Sequence, residues 1–165
     1  MKYFFEYNWQ IRAEWFDWCK SISNDELYKK RIGGVESIAH TLFHIIKVEY
    51  DWICDLQDKP IVDKDFKDFN RMEDIVSLSK EFRVDTMKFR NQWTAEQADK
   101  ILNIDLGNDN RIYCTHGEAI RHIIAHEIHH IGQLSIWARA IGIEPISANF
   151  IHKGIIIDNK PSSSV

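Results

Sequence analysis

The chain has 165 residues, of which 44% are hydrophobic and 28% charged, and its formal net charge is -4. This balance is typical of one soluble globular domain, which we expect over residues 1–158, followed by a flexible polar tail at 159–165. Lys and Arg are scattered, which argues against a nucleic-acid partner. Charged residues interrupt the apolar runs of residues 1–20, so we expect neither a signal peptide nor a membrane span there.

The three cysteines, Cys19, Cys54 and Cys114, are odd in number and far apart. No Cys-x-x-Cys pair occurs, so we expect neither a disulfide framework nor a thiolate zinc site. Cysteines of this kind are usually small buried hydrophobes. We therefore predict a reducing, cytoplasmic environment.

The first half of the chain has two long segments of helical periodicity. The first covers residues 3–21, and the polar residues 23–25 then offer a cap for a short helical piece that ends before the glycines at 33–34. The second long segment covers residues 35–56. It stops near Pro60, because proline cannot continue helical hydrogen bonding.

A third helix is predicted to begin at Asn70 and to continue to about Trp93. Glu73 lies three residues after Asn70 and would complete a capping box. The pattern changes over residues 101–113, where short apolar runs flank the polar residues 107–110. This stretch reads as a short hairpin or an ordered loop.

The fourth helix is predicted to begin with a second capping box, formed by Thr115 and Glu118. Gly142 closes it, since glycine readily adopts the left-handed conformation at a helix end. Four amphipathic helices joined by two longer connections predict an all-α four-helix bundle with a small appendage.

Histidines are concentrated on the second and fourth long helices. Those on or at the start of these helices are His40, His44, His116, His122, His126, His129 and His130, and the eighth is His152. A spacing of four residues places two imidazoles on one helix face, from which both can reach one ion. Three pairs have this spacing, namely His40/His44, His122/His126 and His126/His130.

Helical periodicity selects one of these pairs on the fourth helix. His130 falls inside the apolar arc and His126 at its edge, whereas His122 and His129 fall outside it. On the second helix, His40 and His44 both lie opposite the apolar arc, although His44 is nearer its boundary. Periodicity alone therefore does not choose a ligand from the second helix.

Two glutamates, Glu49 and Glu127, fall near the middle of the apolar arcs of the same helices. Carboxylates are rarely buried without partners. They could orient a ligand histidine or act as a general base, and we name both as candidate catalytic residues. A structural, hydrogen-bonded role is the alternative.

Residues 126–130 also fit H-E-x-x-H, which supplies two zinc ligands and the general base of metallopeptidases. The longer form of that motif fails here, because Gln133 and Ile136 stand where its glycine and third histidine would be. Peptidase activity is therefore a minor alternative.

These features resemble the DinB family. The name of the family records DNA-damage induction, and the family is distinct from the polymerase of the same name. The resemblance covers almost the whole chain and rests on residues 4–10 (FFEYNWQ), 41–50 (TLFHIIKVEY), 122–134 (HIIAHEIHHIGQL) and 137–139 (WAR). It implies a DinB/YfiT-like four-helix bundle with a divalent metal on His44, His126 and His130. His40 has no counterpart in the family pattern.

The resemblance further implies a homodimer, and some relatives transfer low-molecular-weight thiols such as bacillithiol, mycothiol or glutathione to electrophiles. Three imidazoles leave a coordination position open, so we expect a zinc- or nickel-dependent enzyme acting on a small molecule. Because the ligands must be neutral, we expect metal loss as the pH falls through the imidazole range.

Two functions of other classes remain open at this stage. The first is a metal-binding stress protein without turnover, in which the ion contributes folding energy. The second is an interacting helical bundle that uses Trp9, Trp15 and Trp18 as a partner surface. Aromatic residues at helical spacing are more often core.

Overall fold

The computed structural model describes residues 1–105, 107, 110–151 and 153–156. Within these ranges the chain forms five α-helices and one two-stranded sheet. The helices are α1 (Lys2–Cys19), α2 (Asn24–Tyr28), α3 (Ile38–Asp55), α4 (Met72–Gln92) and α5 (His116–Ala140), and the strands are β1 (Ile101–Asp105) and β2 (Arg111–Thr115). The predicted tail and His152 lie outside the described residues.

The four long helices pack in a ring. Both α1 and α3 contact α4 and α5, so α3 and α5 are neighbours, as are α1 and α5. The main core between them contains the fully buried Ile11, Trp15, Leu42, Ile75 and Leu134. Burying each such side chain contributes roughly 1.5–3 kcal/mol, so this core holds the relative positions of the helices.

Local capping sets several helix ends. The Oγ of Ser37 accepts a hydrogen bond from the His40 backbone N–H at 3.1 Å and starts α3. Thr115 and Glu118 form the predicted capping box, with 3.1 Å from Glu118 N to Thr115 Oγ1 and 2.7 Å from Thr115 N to Glu118 Oε2. This box fixes the start of α5.

The predicted capping box at the start of the third long helix is wrong. The helix begins at Met72, and its N-cap residue is Arg71, which makes no side-chain cap hydrogen bond. The carbonyl of Asn70 instead accepts a hydrogen bond from Asn24 Nδ2 at 3.0 Å. This contact with α2 holds Asn70 outside the helix.

The segment before α5 contains the hairpin, so the fold is mostly helical rather than purely α. Strands β1 and β2 pair antiparallel, with Ile101 opposite Thr115 and Asp105 opposite Arg111. Residue 106 and residues 108 and 109 of the predicted turn lie outside the described residues. The hairpin joins α5 through a hydrogen bond from His116 N to Lys100 O at 2.8 Å.

The tryptophans of α1 belong mainly to the interior. Trp9 and Trp15 are buried, and the half-buried Trp18 packs against the core and donates to the carbonyl of Glu144 at 2.9 Å. The partner surface suggested for these residues is therefore wrong for Trp9 and Trp15. No helix among the described residues has the length and apolarity needed to span a bilayer.

Candidate metal centre

Three histidine side chains meet in the groove between α3 and α5. His44 comes from α3, and His126 and His130 lie one turn apart on α5. One ring nitrogen from each lies within 4.8 Å of the other two, so the group could hold a metal ion. His126 Nε2 is 3.1 Å from both His44 Nε2 and His130 Nε2. A tetrahedral zinc ion with Zn–N bonds of about 2.0–2.1 Å would hold its nitrogens about 3.3–3.4 Å apart, close to this spacing.

Hydrogen bonds among three neutral histidines cannot satisfy all the ring nitrogens in this arrangement. A neutral imidazole nitrogen carries either one hydrogen or one lone pair. His126 Nε2 faces two other ring nitrogens at hydrogen-bond distance, and it can satisfy one of them at most. A cation among the three accepts a lone pair from each ring, so the donor set fits a bound metal.

The surroundings keep these rings unprotonated. Burial, together with the charges of neighbouring histidines, lowers the pKa of His44 to about 4 and that of His126 to about 3. Burial also lowers the pKa of His130, against the raising effect of its hydrogen bond to Gln133. At neutral pH the three imidazoles are therefore in the form that binds metal.

Helical periodicity placed the α5 pair correctly. His130 is buried and His126 half-buried, which matches a position inside the apolar arc and one at its edge. His44 was left open because α3 packs against two long neighbours, α4 and α5. Thr41 is buried one turn before His44 and about 60° from it around the helix, so burial extends toward His44 beyond the apolar arc.

The remaining described histidines do not join this group. The His40 ring stacks on Phe66, with ring centroids 4.1 Å apart and planes 6° from parallel. His122 packs against Trp52 at a centroid distance of 5.2 Å. His116 opens α5 beside the hairpin, away from the groove.

Gln133 is a neighbour of the site that sequence reasoning missed as a functional residue. Its Oε1 accepts a hydrogen bond from Nδ1 of His130 at 2.8 Å. Its amide nitrogen donates to Nε2 of the exposed His129 at 2.9 Å. The spacing of three residues from His130 on one helix was the available signal.

The two candidate glutamates are buried, as predicted, and both bind Arg12 of α1. The Arg12 Nη2 atom lies 2.8 Å from Glu49 Oε2 and 2.6 Å from Glu127 Oε2. Arg12 Nε also donates to Glu127 Oε1 at 2.9 Å, and Trp9 Nε1 donates to both oxygens of Glu49 at 3.1 Å. These partners favour the structural alternative, and a direct catalytic role for either glutamate stays a prediction.

This buried cluster contains one cation and two carboxylates. Burial lowers the pKa of Arg12, but the charges of Glu127 and Glu49 raise it by more, so the guanidinium stays charged. Burial raises the pKa of Glu127, and the charge of Glu49 adds to this rise, against the lowering effect of the adjacent Arg12. Arg12 thus ties α1 to α3 and α5, the two helices that supply the three histidines.

The fold and site define a helical-bundle protein with three histidines arranged to hold a metal ion. The sequence model of the DinB family matches residues 1–155. The chain is also 44% identical over 151 residues to the uncharacterized protein YizA of Bacillus subtilis (strain 168), a match that covers 92% of this chain and 94% of that relative. The chain belongs to the DinB family.

The metal loss expected from the sequence over the ordinary imidazole range is revised by the lowered pKa values, which predict a metal affinity that is insensitive to mild acid. The zinc affinity should change little between pH 7 and pH 6 and should fall below about pH 4–5, because the His44 and His126 rings gain protons only near about pH 4 and pH 3. Three ligands with an ordinary pKa of about 6.5 would lose about 30-fold between pH 7 and pH 6. Chelator competition, corrected for protonation of the chelator, distinguishes the two results.

The Arg12→Met variant should be strongly destabilised. It leaves two buried carboxylates without their cation, which costs about 3–5 kcal/mol of unfolding free energy. Lys20→Met, at the residue that follows α1, is the control, since its ion pair with Asp17 is exposed and should contribute at most about 1 kcal/mol. Equal losses for the two variants in urea unfolding would contradict this account of the cluster.

Proposed function

We propose that this protein is a metal-dependent enzyme that binds one divalent transition-metal ion, zinc or nickel, through His44, His126 and His130. The observation that carries the proposal is the convergence of three neutral ring nitrogens from two helices. Three protein ligands leave at least one coordination position for water or substrate, as in catalytic zinc sites. A bound ion lowers the pKa of a thiol or water that it binds, which supplies a nucleophile at neutral pH.

The substrate class in this proposal is a small electrophile, with a low-molecular-weight thiol as the second reactant. The family resemblance supports thiol transfer, and hydrolysis of a small molecule is the related reaction. The chain's own residues hold the rings in place: α5 fixes His126 and His130 one turn apart, and its packing on α3 brings His44 to them. We propose a cytoplasmic homodimer, in line with the same resemblance.

The position of Glu127 gives the peptidase alternative no support. In H-E-x-x-H enzymes this glutamate is the general base beside the metal. Here both of its oxygens accept hydrogen bonds from Arg12, and the side chain is 2% exposed. It is turned toward α1 and buried there.

A metal-binding protein without turnover is the second candidate. One observation favours it: the three ligands come from two helices, so a bound ion would link α3 to α5 and stabilise the folded chain. Solvent-accessible coordination positions and acceleration of a reaction would support the enzyme. A large rise in unfolding temperature on metal binding, without turnover, would support a structural site.

Replacing His126 should abolish metal binding. After loading with zinc and dialysis, the wild type should retain about one ion per chain, whereas His126→Ala should retain almost none, because two imidazoles bind far more weakly than three. His122→Ala is the matched control, one turn earlier on α5 and outside the group, and should behave as the wild type. Elemental analysis measures the result, and unchanged zinc in His126→Ala would reject the site.

The same samples test catalysis. Zinc- and nickel-loaded wild type should accelerate the reaction of glutathione or bacillithiol with a generic aryl halide, and His126→Ala should not. If the loaded wild type binds metal and is stabilised by it, but gives no acceleration with any thiol and no hydrolysis of activated esters, the non-catalytic candidate replaces the enzyme.

A further inference from the structure

A single amide group joins two histidines next to the candidate metal centre. Gln133 Oε1 is 2.8 Å from Nδ1 of His130, and Gln133 Nε2 is 2.9 Å from Nε2 of His129. An amide oxygen can only accept and an amide nitrogen can only donate. The hydrogen on His130 is therefore on Nδ1, and its Nε2 carries a lone pair.

That lone pair points into the group of three histidines, where His130 Nε2 faces His126 Nε2. A ring that binds an ion through Nε2 must carry its hydrogen on Nδ1, and a fixed acceptor at Nδ1 selects this tautomer and the ring angle. We propose that Gln133 is a positioning residue that sets the tautomer and orientation of His130 for metal binding. This inference rests on the proposed function, since it concerns the same site.

The loop before α3 passes close to Gln133. Gly34 has a φ of +53°, and a Cβ atom built on it would lie 2.5 Å from Gln133 Oε1 and 3.3 Å from Cη2 of Trp137. Trp137 Nε1 also donates to the Ile32 carbonyl at 3.3 Å, which ties the loop to α5. A side chain at position 34 would therefore strain the backbone and press on the oxygen that contacts His130.

The two contacts of Gln133 have different consequences. The hydrogen bond to His130 acts on a candidate metal ligand that is buried, whereas His129 is exposed and outside the group of three. Loss of an outer hydrogen-bond partner of a metal-binding histidine typically lowers metal affinity about 10–100-fold. We assign this effect to the oxygen of Gln133 and a smaller one to its nitrogen.

Two substitutions of similar size separate the oxygen from the nitrogen. Gln133→Met removes both hydrogen-bonding groups and should weaken zinc binding about 10–100-fold in chelator competition. Gln133→Glu keeps an acceptor at Nδ1 and should stay within about threefold of the wild type. The visible spectrum of the cobalt-loaded protein should change in Gln133→Met and be retained in Gln133→Glu.

Several results would overturn the proposal. Wild-type affinity in Gln133→Met would show that the hydrogen bond has no effect on binding. Equal weakening in Gln133→Glu and Gln133→Met would assign the effect to the amide nitrogen. A metal-free Gln133→Met that unfolds at a much lower temperature than the metal-free wild type would show a structural role. Failure of the wild type itself to bind zinc would instead reject the proposed function.

Gly34→Ala tests the contribution of the loop through a double-mutant cycle. In the wild-type background the added methyl group should displace Gln133 and weaken zinc binding. In a Gln133→Ala background the displaced side chain is gone, so Gly34→Ala should cause almost no further loss of affinity. Losses that multiply in the double variant would contradict the assignment of Gly34.

Discussion

The packing of α3 against α5 is the contact on which the candidate metal centre depends. His44 lies on one helix and His126 and His130 on the other, so a small sliding or rotation of either helix would separate the ring nitrogens. The buried Arg12 opposes such motion, because it binds Glu49 of α3 and Glu127 of α5 together. A charged cluster to which α1 contributes Arg12 thus helps to hold the site together.

Adjacent residues of α5 face different neighbouring helices. His126 faces the groove toward α3, while Glu127, about 100° further around the helix, points to α1. On the groove side, burial keeps the imidazoles neutral and ready to bind a cation. On the other side, a permanent cation satisfies the carboxylates. The group of three histidines and the charged cluster are therefore separate, and both glutamates bind Arg12.

Local rules predicted the parts of the structure that local chemistry decides. Thr115 and Glu118 cap α5 as expected, and periodicity placed His126 and His130. The prediction that Asn70 caps the third long helix was wrong, because the Asn70 carbonyl accepts a tertiary hydrogen bond from Asn24. The choice of His44 as a candidate ligand required the family resemblance, because its environment depends on the packing of α5 against α3. Arg12 was missed as a site partner because it lies on a different helix, and Gln133 because a polar residue beside a histidine has many possible partners.

A zinc-edge anomalous-scattering map of crystals grown with zinc near pH 7.5 tests the central claim most directly. The account predicts one strong peak between α3 and α5, about 2.0–2.1 Å from the Nε2 atoms of His44, His126 and His130. A map without density among these three rings, from protein that elemental analysis shows to contain zinc, would contradict it.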